Sequence, residues 1–295
     1  ELKLKKAICA TGAYECIHYS FFSPSDLDLL KLSEDAPERK AIRLINPINE
    51  DLSLMRTTLV PSMLNAISRN QKKGNLEGRL FEIAKIFIPK ELPLTDYPDE
   101  RDTLCVGVFG QNEDFFTLKG IAETVADTFL LDFEYEEAEK SFLHPYQTAV
   151  IKCEGEEIGY LGKLAYDIAD KLDLRNDAYV MQIDLAKLAK WNDKKAVFKP
   201  LPKFAEESRD LALVMTKDIT CKQVEDVIGQ SCNYIKDIRL FDVYEGAGIA
   251  DDKKSMAFTV EFCPKDEAFE SDSVDHFVNK ILKNLKKELD IDLRS

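Results

Sequence analysis

Several things are missing from this chain, and each omission removes a class of protein. No apolar run approaches the roughly 20 residues that span a bilayer, and the opening ELKLKK lacks a signal peptide's apolar region, so membrane targeting is not expected. The seven cysteines (9, 16, 105, 153, 221, 232 and 263) contain no CxxC pair and cannot all be bridged, which points to free thiols in a reducing cytoplasm. No set of side chains at metal-ligand spacing is visible. Positive charge is short: 40 Lys and Arg against 54 Asp and Glu leave a net charge of −14. Such an acidic chain is not a general nucleic-acid binder working by counterion release; DNA is not an expected partner, and any RNA contact must be local and specific. There is no internal repeat and no low-complexity tract. What remains is 295 residues, 45% hydrophobic, enough to bury a sizeable core and to form two domains. Residue 1 is Glu rather than Met, so we read the chain as part of something longer.

YECIHYSFF (14–22) reads as a strand, and SPSDLDLLKL as a short helix capped by Ser23 or Ser25. Ile42 and Leu44 before Asn46-Pro47 read as strand then turn, and Pro61 opens a helix with Met63, Leu64 and Ile67 at helical spacing. Strands are expected at RLFEIAKIFIP and TLCVGVFG, then an amphipathic helix over 115–131 through Leu118, Ile121, Val125 and Phe129. TAVIKC and EEIGYLGKL read as strands joined by a turn at 154–156, and AYVMQIDL (178–185) as another. Many strands with few intervening helices predict a largely antiparallel α+β domain. Composition shifts abruptly at KWNDKKAVFKPLPK (190–203), which carries two prolines and marks the expected boundary between a domain over 1–195 and one over 200–295. The second domain reads βαββαβ, the split ferredoxin-like order.

Within it, IRLFDVYEGAGIADDKKSMAFTVEF (238–262) is two alternating runs joined by a turn rich in Gly and Asp, which predicts a hairpin. Ile238, Leu240 and Val243 fall on one face and Arg239 and Asp242 on the other, leaving a face free for a ligand. The string closely resembles the central hairpin of the anticodon-binding domain of bacterial phenylalanyl-tRNA synthetase β subunits. LMRTTLVPSMLNAISRN with RLFEIAKIF is similar to the class II synthetase core around motif 2, in the version those subunits carry. DFFTLKG and LHPYQTAVIKCEGEEIGYLGKL resemble later parts of that core, with Tyr146 where members usually carry glycine. The resemblance spans roughly residues 10 to 295 and implies an α+β fold class: a class II synthetase-like, mainly antiparallel sheet with helices, followed by a ferredoxin-like βαββαβ domain.

The resemblance also implies roles. Catalytic class II cores hold ATP with an arginine and a glutamate on paired strands, and Arg56 and Glu82 are the candidates here. RLFEIAKIF lacks the usual polar and basic loop, and a glycine-rich, arginine-ending motif 3 is absent, so a structural or interface role and a catalytically silent core are expected. Anticodon binding is carried over to Ala212 in SRDLALVM, Asp242 and Tyr244 in FDVY, Ser255 in KKSMAF, and Arg294 in the closing DLR. A ring stacks on an unpaired base, Asp and Ser read its edge, and Arg stacks or pairs with phosphate. Lys253 and Lys254 are candidate phosphate contacts; Lys280, Lys283, Lys286 and Lys287 read as a solvated helix face, with a phosphate-facing stripe as the alternative. YEGAGIADD is a hairpin turn rather than a phosphate loop, and His144 a turn histidine. No catalytic residue, metal ligand or cofactor is assigned to this chain. By resemblance the complete enzyme uses ATP and magnesium and is a cytoplasmic α2β2 assembly, whose α subunit joins phenylalanine to ATP and then to tRNA(Phe). This chain supplies subunit contacts and tRNA recognition. Two alternatives are a free-standing pseudo-synthetase acting as a regulatory or scaffold protein, and a hydrolase using Cys153 or Cys105 with His144.

Overall fold

The longest apolar runs of the sequence become the central strands of two separate sheets. The computed structural model describes every residue except 192, 199, 266, 271 and 295, two of which fall in the 190–203 segment and one at the end of the DLRS run. The chain divides into two compact units, Glu1–Ala196 and Val197–Ser295.

The first unit begins with α1 (Leu2–Ala10), β1 (Tyr14–Glu15), β2 (Phe21–Phe22), α2 (Pro24–Leu29) and β3 (Leu54–Met55). It continues through α3 (Val60–Lys72), β4 (Gly78–Ile88), β5 (Asp99–Phe109), α4 (Phe115–Phe129), β6 (Glu134–Glu137) and β7 (Leu143–Cys153). It ends with β8 (Glu156–Leu164), α5 (Tyr166–Lys171), β9 (Ala178–Asp184) and α6 (Leu185–Leu188). Seven strands form one sheet in the order β1-β4-β5-β9-β8-β7-β6, antiparallel except where β1 runs parallel to β4. Strand β5 shows why its sequence is an unbroken apolar run. Leu104, Val106 and Val108 face α1 and α4 through Leu4, Ile8, Ile121 and Val125, whereas Cys105 and Phe109 face α3 and α5 through Met63, Ile67 and Ile168. Both faces are covered, so neither tolerates polar alternation. Helix α4 starts where Asp114 accepts from the Thr117 N–H at 2.6 Å and stops at Leu130, which adopts a left-handed φ of 58°.

Two expectations need correction. The single strand read over 14–22 is two short pieces. After Glu15, Cys16 N–H still reaches Phe81 O at 2.7 Å, but His18 N–H turns to the Glu82 carboxylate at 3.2 Å, so a side chain replaces the next rung of the ladder. Ile42 to Leu44 is not a strand: it makes one bridge, Arg43 to Leu54, flanked by Leu44 N–H to Ser53 O and Met55 N–H to Ile42 O. The loop that contains Pro47 keeps it from extending.

The second unit is β10 (Glu207–Thr216), α7 (Cys221–Ser231), β11 (Ile235–Tyr244), β12 (Lys253–Phe262), α8 (Ser273–Leu289) and β13 (Asp292–Leu293). Its antiparallel sheet runs β11-β12-β10-β13, and both helices cover one face. Val224, Ile228, Ile281 and Leu285 pack there on Leu211, Leu213, Phe258 and Val260.

Candidate functional site

Strand alternation in the second unit sends Leu211, Leu213, Met256 and Phe258 to the helices and Ala212, Ser255, Ala257 and Thr259 to the opposite, outer face. Strict alternation along β11 would separate Arg239 from Asp242. The ladder instead slips between Leu240 and Asp242, a bulge that adds Phe241 and restores the parity. Arg239, Asp242 and Tyr244 therefore pair with Thr259, Ala257 and Ser255 and share the outer face.

The chain then returns to the same face from the far edge. Arg294 N–H donates to Ala212 O at 2.7 Å, continuing the pairing of β13 with β10. Strands β11 and β13 are the two edges of the sheet, about 14 Å apart at the usual strand spacing. Even so, the Arg294 guanidinium carbon lies 5.1 Å from the centre of the Tyr244 ring. The small side chains of Ala212, Ala257 and Ser255 on the two central strands give both long side chains room to meet. Ser255 beneath is 3% exposed. The Tyr244 hydroxyl donates to Ala247 O at 3.2 Å, and a Cβ on Gly246 would sit 2.9 Å from the Tyr244 hydroxyl oxygen. Ala212, Asp242, Tyr244, Ser255 and Arg294 thus lie together, presenting a ring, a cation, an exposed carboxylate and a shielded hydroxyl. These groups suit stacking on a flat ring and reading its polar edge.

Of the two candidate phosphate lysines, Lys253 joins this face. Lys254 has the opposite parity, pairing with the inward-facing Met215, and its Nζ donates to Lys217 O at 2.9 Å. Lys280, Lys283 and Lys287 are exposed on α8, which covers the other side of the sheet, and Lys286 pairs with Asp290 at 2.6 Å and Asp292 at 2.9 Å.

In the first unit Arg56 and Glu82 do meet, at 3.1 Å, but both are 3% exposed. Arg56 is further consumed by Lys85 O at 2.9 Å and Tyr19 O at 3.3 Å. His18, which the sequence reading did not single out, closes the group: its Nδ1 lies 2.7 Å from Glu82 Oε2. Burial pushes the Glu82 carboxyl up, and the His18 hydrogen bond together with the Arg56 charge outweighs it, holding the group below its ordinary value. A pair bound to itself and to backbone carbonyls cannot also grip a polyphosphate, so these residues do not fit an ATP site. No cluster of three or more His, Cys, Asp or Glu among the described residues is placed to hold a metal ion.

The hydrolase alternative fails on geometry. Cys105 and Cys153 are buried, and burial raises both thiols, Cys105 well above its ordinary value. With Leu143 opposite Leu164 and Cys153 opposite Glu156 on β8, His144 and Cys153 stand near opposite ends of β7, about 24 Å apart at strand rise. His144 instead closes a local break in that strand, its Nδ1 accepting from Tyr146 N–H at 3.2 Å.

Comparison with known proteins gives this geometry a context. Residues 1–185 match the phenylalanyl tRNA synthetase beta chain CLM domain, and residues 202–294 the ferredoxin-fold anticodon binding domain. The phenylalanine–tRNA ligase beta subunit of Clostridium acetobutylicum is 33% identical over 97% of this chain and 36% of its own length. That of Clostridium tetani is 33% identical over 100% and 37%, and that of Listeria innocua 32% over 94% and 36%. The chain therefore spans little more than a third of these relatives. Among solved structures, a pyrrolysyl-tRNA synthetase from Desulfitobacterium hafniense superposes with a TM-score of 0.51 at 17% identity, covering 64% of this chain and 66% of that one, which shows a shared fold alone. With one profile covering most of the first unit, another most of the second, and relatives aligned along nearly its full length, the chain belongs to the phenylalanine–tRNA ligase beta-subunit family.

Proposed function

We propose that the chain is the C-terminal part of a phenylalanine–tRNA ligase β subunit, which docks the α subunit and reads the tRNA(Phe) anticodon in a cytoplasmic α2β2 enzyme. ATP- and magnesium-dependent aminoacylation belongs to the α subunit. The observation that carries the reading is the convergence of Asp242, Tyr244, Ser255 and Arg294, from β11, β12 and the segment after β13, on one face. An unpaired base that stacks on Tyr244 either takes the ring face away from Arg294 or displaces the guanidinium, with Asp242 beside it to accept from the base edge. The silent core is supported by the burial of Arg56 and Glu82. Subunit docking is supported by an apolar surface along the first strand and the segment after it, where Tyr14, Ile17 and Tyr19 are 75%, 91% and 67% exposed.

Two measurements test this. The chain alone gives no phenylalanine-dependent ATP–pyrophosphate exchange, and Ile17→Arg with Tyr19→Arg weakens its complex with the α subunit, read as complex mass. Exchange by the chain alone contradicts the silent core. An undiminished complex contradicts the docking surface.

A further inference from the structure

At one end of the first unit's sheet, the start of α4 and the strands β6 and β7 enclose a cavity of about 490 Å³ that plays no part in the reading above. Its lining is chemically one-sided. Phe115, Phe116 and Tyr146 supply rings, Asp114 and Glu137 supply carboxylates, and no basic side chain lines it. Phe116 and Tyr146 are 73% and 85% exposed, a costly placement for two large aromatic side chains that flank the same hollow. Tyr146 is held there by the strand break in which its N–H donates to His144 Nδ1, and Phe116 by the Asp114 cap that fixes the first turn of α4 and by an edge-on contact with Phe115 at 5.7 Å.

The carboxylates are not neutralised. Asp114 accepts from Thr117 through Oδ1 alone, and neither its Oδ2 nor Glu137 has an ion pair or hydrogen bond among the described residues. Glu136 next door, by contrast, pairs with Lys152 at 2.5 Å. The nearby Lys163 is committed to Asp177 at 2.6 Å and to Tyr166. Ring faces carry negative potential and attract cations. Rings and unpaired carboxylates around one hollow, in a chain of net charge −14, favour a positively charged visitor. Between the two basic side chains, the guanidinium fits better: it is planar, weakly hydrated, stacks on ring faces and pairs with a carboxylate through two N–H groups.

We propose that this cavity receives an arginine side chain presented by a partner protein, with its guanidinium between Phe116 and Tyr146 and paired with Glu137 or the free oxygen of Asp114. A free amino acid is disfavoured because its own carboxylate would meet both acidic groups.

The test titrates the full chain with the capped tripeptide Gly-Arg-Gly, its citrulline counterpart and free L-arginine, following the Phe116 and Tyr146 ring resonances. The arginine tripeptide is expected to shift both rings and the citrulline peptide to do so only at far higher concentration. Tyr146→Ala and Glu137→Gln, both at exposed positions and each checked for an unchanged thermal melt, should each weaken the tripeptide by about three- to tenfold, the range of a partly desolvated cation–π or ion-pair contact. Equal binding of the citrulline peptide, no shift with any probe, or full affinity in both variants overturns the proposal. Free arginine binding as tightly as the tripeptide overturns the partner side chain in favour of a small-molecule site.

Discussion

At the scale of single residues, the buried group of Arg56, Glu82 and His18 shows how a familiar pattern changes meaning with its surroundings. Arg56 and Glu82 stand out in the sequence because of the motif they resemble. His18 does not, because a lone histidine in YECIHYSFF has no partner at a regular spacing. The contact that gives it a role runs 64 residues along the chain. Removing the Glu82 charge leaves the Arg56 guanidinium buried without compensation, so Glu82→Gln should cost about 3–5 kcal/mol in urea unfolding at neutral pH. The pH dependence has a definite sign. The folded Glu82 carboxyl lies below its ordinary 4.5, so its contribution is complete above that value and is lost as pH falls through the lower folded one. The difference between wild type and Glu82→Gln should therefore narrow in acid, and a gap that stays constant from neutral pH down to strong acid contradicts the ionised pair.

At the scale of elements, the strands and helices of both units follow apolar periodicity closely, and the departures have local causes. The sequence separated Arg239 and Asp242 from Ile238 and Leu240 correctly, and the bulge at Phe241 is the device that makes this possible. The apolar run over 14–22 breaks into two short strands because Glu82 competes for the His18 backbone N–H, an event no window of neighbouring residues encodes. Helix α1 and the acidic edge strand β6 carry little local signal: LKLKKAICA and EYEE have weak periodicity and gain their structure from packing on α4 and from pairing with β7. Two glycines separate packing from propensity. A Cβ on Gly159 would lie 2.2 Å from Gln182 O on the neighbouring strand, so Gly159→Ala must part β8 from β9 and should destabilise by several kcal/mol. Gly120 lies exposed inside α4 with open space around its Cβ position, and Gly120→Ala should stabilise by about 0.5–1 kcal/mol. Thermal melts of the two variants should move in opposite directions; a shared direction contradicts the strand contact or the helix.

At the scale of the whole molecule, the second unit carries its own core, with Phe258, Val260 and Phe262 fully buried under α7 and α8. Residues 203–295 should therefore unfold in one cooperative transition when expressed alone. A non-cooperative melt from that piece, beside a cooperative one from the full chain, contradicts independent folding. Composition indicated the kind of RNA contact to expect, since a net charge of −14 leaves little for indiscriminate phosphate binding. It could not show that Arg294 and Tyr244 meet across the sheet, because that contact joins its two edges over three small side chains. The most direct measurement is the affinity of the assembled αβ enzyme for tRNA(Phe) and for its anticodon variants, with and without substitutions on this face. Tyr244→Ala should weaken cognate tRNA about tenfold or more, as loss of a stacking ring does. Combined with Asp242→Ala and Ser255→Ala it should abolish discrimination between anticodons while phenylalanyl-adenylate formation is unchanged. Undiminished discrimination by the folded triple variant contradicts the assignment of this face as the anticodon reader.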